Sequence, residues 1–78
     1  MDLRPLFAVN LRRIRHAQKI SQERLAHDAE VDRVYLSRIE RGVSYVGLEI
    51  IGKLADALKT EPTEFFRPIP KRTRSRSV

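Results

Sequence analysis

At 78 residues the chain has the length of one small domain, so a separate ligand-sensing or proteolytic domain is not expected. It is 41% hydrophobic and 33% charged with no cysteine, so an apolar core is affordable but neither a disulfide nor a thiolate-held metal supplements it. The net charge of +6 is unevenly placed: residues 1–66 carry 11 bases and 10 acids, whereas residues 67–78 add five bases and no acid.

The elements follow from spacing and punctuation. Leu3, Phe7, Leu11 and Ile14 form one stripe of an amphipathic helix, and Pro5, tolerable only in a first turn, starts it near Arg4. Ser21 can cap a second helix over Gln22 to Ala29, with Ile20 placed to staple onto Leu25. The device repeats with Asp32 as cap and Val31 stapling onto Leu36, so a third helix begins at Arg33 and closes at Gly42. Only about three residues join the second and third helices, which forces a sharp angle between their axes. Gly47 can begin a fourth helix with the stripe Leu48, Ile51, Leu54, Ala55 and Leu58. Gly52 inside it marks either close packing or drift at a tolerant site. Pro62 suits the first turn of a very short fifth helix that ends in Phe65 and Phe66. The expected class is all-α with five helices. Residues 1–66 are read as the folded domain, and 67–78, RPIPKRTRSRSV, as a basic arm whose composition cannot order itself.

The third helix carries Arg33, Val34, Ser37, Arg38 and Arg41 on the face opposite its core residues, Leu36 and Ile39. Arginine can give paired hydrogen bonds to guanine, serine can bond several base edges, and valine can touch a thymine methyl, so this strip suits a DNA major groove. On an isolated helix the same arginines would more often be simply solvated.

The stretch SQERLAHDAEVDRVYLSRIERG, Ser21 to Gly42, resembles the helix-turn-helix of the lambda-repressor-like, or XRE, family of bacterial transcriptional regulators. NLRRIRHAQKISQ is similar to that family's first helix and LEIIGKLADALKTEPTEFF to its fourth and fifth, so the resemblance covers about residues 6–66. It implies a sequence-specific regulator in which Arg33 and Val34, then Ser37 and Arg38, read bases. It places Gln22 against a DNA phosphate at a positive helix end, and Arg41, Ser44 and Tyr45 along the backbone. Tyr35 either reaches that backbone with its hydroxyl or covers the core. The resemblance also implies an internal ion pair of Arg15 with Glu40, orienting the recognition helix. One departure is Glu30 where the family often has glycine, which calls for a strained left-handed residue or a turn of different shape.

A single short helix reads few base pairs, so a homodimer on a pseudo-palindromic operator in double-stranded DNA is expected. Its surface is expected in the fourth and fifth helices, with Ile50, Pro62 and Phe66 as candidates that could equally be plain core. Small stand-alone family members include restriction-modification controllers, antitoxins and phage repressors; YLSRIERG and the double phenylalanine favour the controllers. The competing reading is a protein-interaction module or antitoxin-like partner, bound to a toxin or to RNA polymerase, whose DNA binding is secondary. The basic arm has three candidate roles: phosphate contact, minor-groove insertion, or solubility alone. Catalysis is not expected: His16 and His27 lie on different helices without thiols or paired carboxylates, and the three glycines are scattered. No cofactor or metal is expected. With no apolar run of membrane-spanning length and no signal-peptide core at the start, the expected location is the cytoplasm.

Overall fold

A computed structural model describes residues 1–69. The elements in chain order are α1 (Arg4–Ala17), α2 (Gln22–Ala29), α3 (Arg33–Glu40), α4 (Leu48–Leu58) and a 3-10 helix over Pro62–Phe66. The all-α expectation holds, with the fifth helix wound as 3-10 rather than α. Five residues beginning at a proline that has no N–H to give are too few to complete an α-helical ladder.

The first three starts have a side-chain partner for a free N–H group, whereas α4 and the 3-10 helix have none. At α1 the Asp2 carboxylate accepts from the Arg4 backbone N–H at 3.0 Å, a cap that the expected stripe did not anticipate. At α2 the Ser21 hydroxyl accepts from Arg24 N–H at 2.9 Å, and at α3 the Asp32 carboxylate accepts from Tyr35 N–H at 3.0 Å. The endings use left-handed residues: Lys19, Glu30 and Lys59 lie at φ 59°, 56° and 54°, and Gly42 at 76°. Glu30 therefore takes the strained alternative, and it lets Val31 N–H bond back to Ala26 C=O at 2.9 Å. At Gly52 an added Cβ would meet nothing within 4 Å, so close packing is not the reason for that glycine.

The core is assembled from one face of every element. Leu11, Leu25, Leu36, Leu54, Leu58 and Phe65 are fully buried. Phe65 and Phe66 both pack against the Phe7 ring, the first tilted and the second edge-on, with ring centroids 4.9 and 5.5 Å away. α1 packs on α3 and on the 3-10 helix, while α2 is wedged between α3 and α4. Leu3 departs from its expected place in the α1 stripe: it is 43% exposed, because it precedes the first helical turn and lies off the buried face. Among the described residues there is no strand, and no helix is long and apolar enough to cross a membrane.

Candidate nucleic-acid interface

Packing against α1 and α2 leaves one side of α3 free, and that side carries the cationic strip. Arg33, Val34 and Arg38 are exposed, and Ser37 is half-buried. Arg33, Val34, Ser37 and Arg41 line one open depression together with Gln22 of α2. The depression thus brings together residues from both helices, and its lining contains two arginines and no acid. Arg38 stands outside that lining, four residues beyond Val34 on the same helix.

Behind this surface, Glu40 ends α3 with a side chain only 4% exposed. The expected partner is there: Arg15 of α1 donates from Nε to one carboxylate oxygen at 2.7 Å and from a terminal nitrogen to the other at 2.9 Å. A paired, two-point contact of this kind is what lets a carboxylate remain buried. Arg15 also donates to Ile20 C=O at 3.0 Å, tying the α1–α2 turn to the same point. Gln22, which heads α2, donates its side-chain amide to the same Glu40 oxygen that the Arg15 terminal nitrogen meets, at 3.2 Å.

The loop after α3 is fastened from two sides. Tyr35 is half-buried, and its hydroxyl donates to Tyr45 C=O at 2.9 Å, so its proton is used to hold the loop. The exposed Tyr45 ring lies beneath the Arg4 guanidinium, 4.4 Å from its centroid, a cation–π contact across from the start of α1. Arg4 in turn pairs with Asp2 at 2.8 Å. The side-chain hydrogen bond from Arg4 is the main cause that lowers the Asp2 carboxyl to about 2. Ser44 is half-buried and Arg41 is exposed.

Three functional neighbours escaped the sequence. Arg12 donates to the Glu40 main-chain carbonyl, so α1 grips the end of α3 at both backbone and side chain. Asn10 is buried, and its amide nitrogen donates to Leu6, Phe65 and Arg67 C=O at 3.1, 3.1 and 2.9 Å, while Arg13 donates to its oxygen at 3.0 Å. Asn10 therefore anchors the C-terminal end of the fold to α1. The signal was present, since a polar residue between Phe7 and Leu11 of a buried stripe has to be satisfied internally. Arg4 carried no such signal, because its partners come from the loop and from the chain end.

The candidate dimer residues differ in exposure. Ile50 is half-buried against the core, Pro62 is exposed, and Phe66 is half-buried on Phe7. Phe66 also lines an apolar groove with Leu3, Tyr45, Val46, Leu48 and Ile51, in which Leu48 is 86% exposed; Ile50 and Pro62 are not part of it. His16 and His27 are exposed, and the described residues hold no cluster of three or more groups suited to a metal. Of the basic arm, Arg67 is paired with Glu64 at 3.2 Å, and the arm from residue 70 onward lies outside the described residues.

Comparison with known proteins matches residues 11–65 to a helix-turn-helix family. Control protein C.BamHI of Bacillus amyloliquefaciens is 39% identical over 66 residues, covering 83% of this chain and 82% of that protein. The crystal structure of the restriction-modification controller protein C.AhdI from Aeromonas hydrophila superposes with a TM-score of 0.76 at 46% identity, covering 78% of this chain and 92% of that one. That of the hypothetical transcription factor NHTF from Neisseria gives 0.81 at 37% identity, covering 86% and 77%. The chain is therefore a member of the XRE-like helix-turn-helix family of DNA-binding regulators, with restriction-modification controller proteins among its relatives.

Proposed function

We propose that this chain is a controller-type transcriptional regulator that binds a pseudo-palindromic operator as a homodimer in the cytoplasm. The observation that carries the reading is the acid-free depression lined by Gln22, Arg33, Val34, Ser37 and Arg41, which joins the head of α2 to the outward side of α3. A major groove entered by α3 meets Arg33, Val34, Ser37 and Arg38, whose side chains can discriminate base edges. Gln22, Arg41, Ser44 and Tyr45 run along the phosphates, which position the domain without reading sequence. Tyr35 acts on the same strand of contacts by holding the loop that bears Tyr45. The domain over residues 1–66 reads the operator, and the basic tail over 67–78 adds phosphate contact. Relatives that are named as controllers of restriction-modification systems support regulation of that kind here.

The second copy sits on the apolar groove around Phe66. Leu3 and Leu48 are large apolar side chains left in water there, and covering them gains about 25 cal/mol per Å² buried. Selection from a random duplex library at near-physiological salt, with wild-type protein and Arg33→Ala side by side, tests the DNA reading. The expected result is a paired motif whose half-sites lie about one helical turn or a multiple apart, blurred at specific base pairs by the substitution. Salt-sensitive binding without an enriched motif would overturn direct readout in favour of a protein-interaction module. Sedimentation of Leu48→Glu tests the dimer surface: the variant should be monomeric where wild type is dimeric.

A further inference from the structure

Glu40 presents a problem for a surface that meets a polyanion: a carboxylate sits directly behind it. Arg15 cancels the charge through two hydrogen bonds, at 2.7 and 2.9 Å, yet this leaves one of its oxygens with a second donor, the Gln22 amide at 3.2 Å. An ion-paired carboxylate offers only lone pairs, so the amide must turn its nitrogen, not its oxygen, toward Glu40. That nitrogen carries two hydrogens on a planar group. With one held inward by Glu40, the plane of the amide is set and the second hydrogen has a defined direction. Gln22 lines the depression with Arg33, Val34, Ser37 and Arg41, so its side chain bridges the buried pair and the open surface.

We infer that Glu40 is a positioning residue for nucleic-acid binding: it holds the Gln22 amide so that the free N–H meets a DNA phosphate. The inference rests on the reading of Gln22 as a phosphate contact. It explains why a buried acid serves a DNA-binding surface, because its action outward passes through a neutral donor. Pre-orienting the amide removes most of the rotamer freedom that Gln22 would otherwise lose on binding. Simple electrostatics gives the opposite sign, since deleting a negative charge near DNA tightens binding.

The test is a cycle of variants titrated with a mixed-sequence duplex at low ionic strength. Gln22→Ala should weaken binding roughly tenfold to a hundredfold, the worth of one hydrogen bond to a charged group. Because the contact is neutral, the slope of affinity against salt should stay unchanged. The paired replacement Arg15→Met with Glu40→Met removes both buried charges while keeping apolar volume, which protects the fold. It should weaken binding by a similar factor, and adding Gln22→Ala to it should cost nothing more. If the factors multiply, Glu40 acts only by orienting α3 and the inference fails while the phosphate reading of Gln22 stands. If Gln22→Ala alone leaves affinity unchanged, both fail. Where the paired variant does not fold, the side-chain amide protons of Gln22 in the wild-type protein decide by NMR. The expected result is one amide proton protected from solvent exchange, with DNA shifting the other; two protons that both exchange as fast as those of a free amide would overturn the proposal.

Discussion

The two sides of α3 have opposite requirements within eight residues. Inward, Leu36, Ile39 and Glu40 are buried, and each is determined by what α1 and α2 place against it. Outward, Arg33, Val34 and Arg38 touch little of their own protein and are available to a partner. The difference teaches that similar chemistry has unequal weight by location. Arg15–Glu40 and Arg24–Asp28 are both arginine–carboxylate pairs, at 2.7 and 2.8 Å. The first is 12% and 4% exposed, the second 65% and 34%, so only the first is insulated from water and salt.

The largest expected effect tests the inward side. Glu40→Ala leaves the Arg15 guanidinium without its buried counter-charge and should lower the unfolding free energy by about 3–5 kcal/mol in urea titrations. That is a large part of the roughly 5–15 kcal/mol available to a small domain. A loss under about 1 kcal/mol would mean that water reaches the pair, and the contrast with Arg24–Asp28 would collapse.

On the outward side, Arg33→Ala should leave stability within about 0.5 kcal/mol of wild type. The same substitution should remove about 1–3 kcal/mol of discrimination at one base pair, read from binding to operator variants. Equal losses in folding and in binding would make the two sides one unit. Asp32→Ala falls between them, since it removes the cap at the head of the recognition helix and should cost about 1 kcal/mol in thermal unfolding.

The smallest effect belongs to Asp28→Asn, for which Tm should not move measurably. The side-chain hydrogen bond from Arg24 is the main cause holding the Asp28 carboxyl below its ordinary value. A folded-state value below the unfolded one contributes stability above the unfolded pKa, and that contribution is lost as pH falls through the folded value. The group is open to solvent, so an acid titration of wild type and variant should give superimposable curves. The Asp2 carboxyl, lowered to about 2, has the same sign, which lets Arg4 remain paired over Tyr45 in mild acid.

Much of the fold was legible because its signals are local. Ser21, Asp32, Gly42 and Pro5 act on backbone groups within a few residues, so their roles as caps, closures and starts follow from chain order. The apolar stripes of α1 and α4 lie on the helical period, which identifies their buried faces from Phe7 and Ile51 onward. The outward strip of α3 followed from the same periodicity, as the complement of Leu36 and Ile39. Arg15–Glu40 needed more, since 25 residues separate the two and only the family resemblance paired them.

The sequence alone therefore determined the helices, their order and the side of α3 that stays free, because these depend on spacing within a turn or two. Tertiary structure alone decided that Gln22 leans on Glu40, that Asn10 anchors carbonyls 55 and 57 residues away, and that Tyr35 spends its proton on the Tyr45 carbonyl. It also gathered Leu3, Tyr45 and Leu48 beside Phe66 in one apolar groove. A hydrogen bond is satisfied by whichever group the packed chain brings within about 3 Å, and no local pattern encodes which group that is.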